Sequence, residues 1–371
     1  MAFDGVLDQT IPKRILKGAL RRNLLSSSYL FYGDQGTGKW AMALELAKAI
    51  NCEENQEDPC DHCPSCQKID RMSHPDVKMI FPLPSFKSET KSRKEIEKKR
   101  QAEIERYHKL KREDSYCLVK FEKNVNLAVE DIREMQSGIF LKPFEAKRKV
   151  IIIADAENMH VSSANSLLKT VEEPPADTTL ILTAVDVNKL LPTLVSRCQQ
   201  IRFGKIPKKM IEEKLMSVYG IDEEKASYCA SLSLGSYGKA LDFLRGEKQD
   251  IRQEALDLLQ VATEGNTVQI IRMVNQLLDG WDRNSIMEMF DFLLSVLRDI
   301  YVTLEGFNQL INSDMKSWVV KLSEKFKRQN KVEDAFRAID QIRVDCLTRN
   351  ASLKLALLSM CLKVKELSCS K

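Results

Sequence analysis

Residues 29–50 read YLFYGDQGTGKWAMALELAKAI, and this stretch decides the fold. Tyr29–Tyr32 is a short β-prone run, Gly33–Lys39 is glycine-rich, and residues 40–50 are strong helix formers. Strand, glycine loop, helix is the order that follows. The run Gly33-Asp34-Gln35-Gly36-Thr37-Gly38-Lys39-Trp40 fits G-x-x-x-x-G-K-[ST] at every position but the last. Glycines in such a loop let backbone N–H groups turn inward around phosphate oxygens. The lysine adds a point charge and the helix N-terminus its dipole. The hydroxyl expected after the lysine would ligate Mg²⁺, and the Trp40 indole has no oxygen to offer. Gly33, Gly36, Thr37, Gly38 and Lys39 thus form a degenerate nucleotide-binding loop. ATP or ADP binding stays open beside a glycine turn that binds nothing, and the motif marks a fold better than it marks hydrolysis.

Outward from that loop, Lys149–Ile153 (KVIII) is a β-branched stretch of the kind found in buried parallel strands, and Thr179–Thr183 (TLILT) reads as another buried strand. Amphipathic helices are expected at 126–140 and at 162–172, the latter with Ser162 or Ser163 as N-cap and EEPP as its stop. Ile11, Ile15, Ala19 and Leu20 give 11–25 helical spacing. Strands alternating with helices imply an α/β fold with a parallel sheet over residues 1–205. Beyond it the pattern turns helical to the end, with amphipathic stretches at 252–262, 267–278, 284–304 and 351–366. The first apolar strand runs into Ala154-Asp155-Ala156-Glu157. An active ATPase of this kind ends that strand in Asp-Glu, one for Mg²⁺ and one for the attacking water. Ala154 stands in place of the first and Asp155 in place of the second, so a second metal-side position is altered.

Cys52, Cys60, Cys63 and Cys66 form C-x7-C-x2-C-x2-C. Thiolates at such spacings can close a tetrahedron, and four of them suit a structural zinc with no open position. His62 is a possible substitute ligand, and an iron–sulfur cluster is the rival occupant. Residues 87–114 carry eleven Lys/Arg against seven Asp/Glu. Such a segment reads as a solvated helical or partly disordered excursion, with a nucleic-acid arm as the alternative. The net charge of +4 over 371 residues does not make the whole chain a polyanion binder. MAFDGVLDQT lacks the apolar core of a signal peptide, and no apolar run approaches bilayer length, so a cytoplasmic protein with no membrane contact is expected.

Ser196-Arg197-Cys198 and Gly235-Ser236-Tyr237-Gly238-Lys239 complete the set. Arg197 is either a surface ion-pairing arginine or one reaching a neighbour's nucleotide; Lys239 could reach back over the phosphates, less well than an arginine fork. With NSLLKTVEEPP (165–175), TLILTAVDVNKLLPTLVSRC (179–198) and LKPFEAKRKVIIIADAENM (141–159), the chain resembles the clamp-loader branch of the AAA+ ATPases. Trp40 and Ala154 make it look like the delta-prime type of subunit rather than the hydrolysing tau/gamma type. The resemblance implies an AAA+ α/β domain over 1–205 with a zinc module at 51–70 and a charged insert at about 80–120. A helical lid (206–247) and a helical collar (248–371) would follow. It also implies tau/gamma and delta subunits, a sliding clamp and primer–template DNA as partners, and Arg197 as an arginine finger acting in trans. An ATP-hydrolysing motor using Asp155 or Glu157, and a zinc-dependent DNA-binding factor on a dead loop, are the competing readings.

Overall fold

A computed structural model describes the chain except for residues 1–2, 4, 56–57, 85–92, 122–124, 246–248, 282, 308–309, 313–314, 327–328, 350 and 370–371. It divides into two compact units, residues 1–220 with 233–241, and residues 221–232 with 242–371.

The first unit is built on strands β1 (Ser28–Tyr32), β2 (Val77–Ile80), β5 (Lys149–Ile153), β6 (Thr178–Ala184) and β7 (Gln199–Arg202). They form a five-stranded sheet in the order β2-β5-β6-β1-β7, with every pairing parallel. All seven residues of β6 are buried, as are the first four of β1, which explains why neither strand carries a charged side chain. One face carries Leu30, Ile151, Ile153, Leu180 and Leu182, packed with Ile132, Met135, Leu167 and Val171. Those partners come from helices α5 (Val129–Ile139) and α6 (Val161–Glu172). The α/β expectation with a parallel sheet holds.

Helix α1 (Thr10–Arg21) buries Pro12 and Leu16 and leaves Ile11 exposed, so the face expected from Ile11 is displaced by one residue. Helix α2 (Lys39–Asn51) follows the loop, and α3 (Pro64–Asp70) carries the last of the clustered cysteines. Helix α6 starts one residue before the expected caps: His160 is its N-cap, with no side-chain cap bond, and Ser163 is buried inside it. The charged excursion leaves the sheet after β2. Strands β3 (Leu83–Pro84) and β4 (Val125–Asn126) pair antiparallel at its neck, and helix α4 (Arg93–Glu113) lies between them. Residues 87–92 of the polar run fall outside the described residues. Helices α7 (Pro192–Val195) and α8 (Lys208–Tyr219) complete the chain through residue 220.

The second unit is helical: α9 (Glu223–Leu232), the end of α10 (Tyr237–Leu244), α11 (Gln249–Glu264), α12 (Thr267–Gly280), α13 (Arg283–Leu304), α14 (Lys316–Phe326), α15 (Gln329–Arg349) and α16 (Leu353–Cys369). Leu258, Phe290, Leu293, Leu297, Phe326 and Leu357 lie in one core. Buried Asp299 accepts from the amides of Ile311 and Asn312 at 2.9 and 2.7 Å, tying the loop after α13 to that helix. No helix is long and apolar enough to cross a membrane among the described residues.

Asp76, 5% exposed, leads into β2 and accepts the amides of Phe144, Glu145 and Ala146 at 2.8–2.9 Å. Burial alone would raise its pKa, but these amides outweigh burial and hold the carboxyl below its usual value. A depressed folded pKa gives stability that is present above the unfolded value and lost as pH falls through the folded one. Asp76→Asn should therefore cost about 1–3 kcal/mol at pH 7. The gap from the parent protein in denaturant melts should narrow once pH falls below about 4.

Candidate functional site

The loop Gly33–Gly38 joins β1 to α2. Its backbone leaves ordinary φ space at Gly33, Gly36 and Gly38, with φ of 142°, 72° and 101°. At Gly33 a second constraint applies: a Cβ would stand 2.3 Å from the carbonyl oxygen of Phe203, which continues β7 alongside. Only glycine meets both conditions. Thr37 is buried, its Oγ1 donating to Asp34 O at 2.7 Å. Lys39 is 7% exposed, and its Nζ donates to Gly33 O and Asp34 O at 2.6 and 2.7 Å. Burial pushes its pKa down to about 8, against the opposing pull of Asp155 and Glu157. The end of β5 thus faces the loop lysine electrostatically, as the sequence order implied.

Ala154 is buried. Asp155 sits in the left-handed region at φ 46°, its amide donating to Thr183 Oγ1 at 3.1 Å. Glu157 Oε1 accepts from Val185 N at 2.9 Å, and burial raises its carboxyl pKa. Trp40 packs edge-on against Tyr107 of α4, with ring centroids 5.7 Å apart. Its indole Nε1 is buried with no hydrogen-bond partner among the described residues. An aromatic contact therefore stands where the motif would place a metal-ligating hydroxyl. The start of α10 also fastens the loop: Ser236 Oγ donates to Gln35 O at 2.7 Å, and Gly238 N to Gly36 O at 3.2 Å. Lys239 follows at once, so the chain does return to the loop where that residue was expected to act.

The four sulfurs of Cys52, Cys60, Cys63 and Cys66 lie within 4.8 Å of one another and could hold a metal ion. Amides already point at them: Asn55 N and Cys60 N to Cys52 Sγ, each 3.4 Å, and Cys63 N to Cys60 Sγ, 3.2 Å. N–H donors of this kind stabilise thiolates, the form a metal requires. His62 is exposed, pairs with Glu54 at 2.9 Å and meets Cys60 O at 2.6 Å; with Glu54 and Cys60 it forms a second, more exposed group that could hold a metal ion. Lys48 on α2 holds the module down through Asp61 and Asp70 at 2.6 and 3.2 Å. Arg197 follows α7 at the surface, its Nε 3.0 Å from Glu172 Oε1 and its Nη1 donating to Thr193 O at 2.9 Å.

The family model described as DNA polymerase III, delta subunit, matches residues 8–207, more than half of the chain. The chain belongs to the DNA polymerase III delta-subunit family. Its relatives include the DNA polymerase III subunit delta' of Bacillus subtilis (strain 168), 25% identical over 81% of this chain and 80% of that protein. The delta' subunit of Pseudomonas aeruginosa is also 25% identical, over 80% of this chain and 79% of that protein. The gamma/tau subunit of Mycoplasma genitalium is 27% identical over 84% of this chain but only 47% of that protein. Among solved structures, a Thermotoga maritima gamma subunit-related protein aligns over 97% of this chain and all of its own, at 14% identity and a TM-score of 0.40. The delta-prime resemblance read from the sequence is thereby upheld.

For a member of the DNA polymerase III delta-subunit family, the structure brings Gly33, Gly36, Thr37, Gly38, Lys39, Asp155 and the segment before Lys239 together and gathers the four cysteines. Sequence reasoning missed Tyr107, Lys111 and Tyr116, which close on Trp40 and the loop from distant positions, and it named the motif around Ser236 without giving that serine a role. Only the isolated aromatics in and just past the polar run of 87–114 hinted at Tyr107 and Tyr116.

A lysine pKa depressed by folding means the unfolded chain binds more protons between pH 8 and about 10.5, so stability rises with pH across that window. Lys39→Met should flatten this part of the curve relative to the parent protein. Parallel profiles for the two proteins in urea melts at pH 8–10.5 would contradict the assignment.

Proposed function

We propose that this chain is a non-hydrolysing, stator-like subunit of the DNA polymerase III clamp loader, which helps to place a sliding clamp on primed DNA. Membership of the family supports the setting. The observation that carries the role is Trp40, buried against Tyr107 where a Mg²⁺-ligating hydroxyl would be needed. Ala154 removes the second metal-side group, and hydrolysis of phosphoanhydrides in such sites depends on the metal to neutralise developing charge. In this reading tau/gamma and delta subunits are neighbours in the ring, the clamp and primer–template DNA are met through the complex, and the protein is cytoplasmic. Residues 1–205 serve as the AAA+ core, 206–247 as a lid and 248–371 as the collar that joins the ring.

Arg197 supplies an arginine finger to ATP held by a neighbouring subunit. Its exposure and fixed position after α7 suit that role, and Glu172 keeps the guanidinium ordered until a phosphate competes for it. Arg197→Ala should leave the chain folded but markedly lower ATP turnover by the complex reconstituted with tau/gamma, delta, clamp and primed DNA, since a finger is worth about 10³–10⁵-fold at the site it serves. Unchanged turnover would remove Arg197 from the mechanism. ATP hydrolysis by the chain alone would favour the motor reading, with Asp155 or Glu157 serving the metal.

The cysteine module is assigned a structural zinc, because four thiolates fill a tetrahedron and leave no position for substrate. A Cys60→Ser/Cys63→Ser protein should lose its single equivalent of zinc and melt at lower temperature while still joining the complex. Retention of that equivalent would refute the ligand set, and a strong absorbance near 400 nm in the parent protein would indicate an iron–sulfur cluster instead.

A further inference from the structure

The polar excursion between β3 and β4 is not simply a solvated helix. Much of α4 is exposed, but Tyr107, Tyr116 and Cys117 are buried at 5%, 4% and 2% exposure. Tyr107 is buried against Trp40 and Phe81, and Tyr116 against the phosphate loop. A Cβ placed on Gly38 would lie 2.7 Å from the Tyr116 hydroxyl and 3.0 Å from its ring. A Cβ on Gly238 would lie 2.6 Å from Tyr116 O and 2.9 Å from Leu118 Cδ2. The glycines whose bareness would admit a ligand are instead approached by this chain's own residues.

Further contacts fix the segment there. Leu7 N donates to the Tyr116 hydroxyl at 2.7 Å, and the Tyr116 ring meets Tyr237 edge-on at 5.1 Å. Tyr107 stacks on Phe81 with centroids 3.6 Å apart while its edge faces Trp40. Lys111 Nζ lies 5.4 Å from the centre of the Trp40 ring and donates to Cys117 O at 2.8 Å, closing the end of α4 over the indole. Asp114 holds the turn, accepting from Tyr116 N at 2.8 Å and from the Tyr219 hydroxyl at 3.2 Å. Trp40 therefore has a positive use in the fold: it is the platform on which the end of α4 rests.

We propose that Tyr107–Leu118 is an intrachain plug that occupies the nucleotide seat beside Gly38 and Gly238, so that an adenine nucleotide binds the loop only when this segment leaves. The proposal deepens the non-hydrolysing reading by adding a steric barrier to the missing metal ligands. A site open in a small fraction of molecules binds with its affinity reduced by that fraction. Removing the plug should therefore raise affinity even if the opened site remains catalytically dead.

The test uses the full chain in three forms: unaltered, Tyr107→Ala/Tyr116→Ala, and a form in which residues 93–118 are replaced by a short glycine–serine link. MgADP and MgATP binding are measured by calorimetry, and exchange of the amides at 33–40 by mass spectrometry. The two altered forms should bind nucleotide at least about tenfold more tightly than the parent, with faster exchange across the loop. Adding Lys39→Ala should abolish the gained binding. Equal affinity in all three forms, including no binding by any, would overturn the plug. If one altered form fails to fold, the other decides. Turnover of ATP by an opened form would support the plug while overturning the non-hydrolysing reading, so the two failures are told apart.

Discussion

The first unit depends on β1 being gripped from both sides. Parallel pairing with β6 and β7 satisfies the strand's backbone along both edges and fixes where it ends. Gly33 N then donates to Ala184 O and Phe203 N to Tyr32 O, so the chain must turn in the narrow space beside Phe203. That crowding dictates glycine at 33, and the turn it allows aims α2 with its N-terminus at the loop. The end of β5, two strands away in the sheet, faces the same loop because parallel strands present their C-terminal ends on one edge.

The departures from an active phosphate site form a coherent physical set. Losing a hydroxyl at Trp40 and a carboxylate at Ala154 would leave a polar cavity without its metal. Here apolar and aromatic surface takes up that space, and Lys39 is committed to loop carbonyls with its charge opposed by burial. Ser236 and Gly238 add hydrogen bonds from a segment some two hundred positions downstream. Thr37 to Trp40 and Ala154 are packed inside, while Asp34 and Gln35 at the tip of the loop stay exposed.

Much of this was legible in the sequence because it is local. The glycine loop, the strands KVIII and TLILT, and the cysteine spacing each state their structure within a few residues. The edge strands were harder. VKMI in β2 sits among prolines, and QQIR in β7 exposes three of its four residues, so neither carries the apolar run that betrays a central strand. The cap of α6 was misplaced because His160 satisfies the backbone geometry without a side-chain bond, leaving the serines inside. The charged insert was misjudged in part because its composition is dominated by the exposed face of α4. Burial of Tyr107 and Tyr116 is decided by what the fold brings opposite them, and no periodicity in the segment encodes that. The placement of Ser236 against the loop is likewise a long-range fact.

The neck formed by Leu83↔Asn126 and Pro84↔Val125 has a consequence for how this molecule can vary. Once the two ends of the excursion are pinned together, the entropy of closing it depends only weakly on its length, by about 0.6 kcal/mol per doubling. The outer reach of the insert is thus nearly free to grow or shrink without disturbing β2 or β5. The final stretch from Tyr107 to Leu118 has no such latitude, since shifting it by one position would put a different side chain over Gly38. One excursion therefore joins a region where length is almost neutral to a region where register is everything.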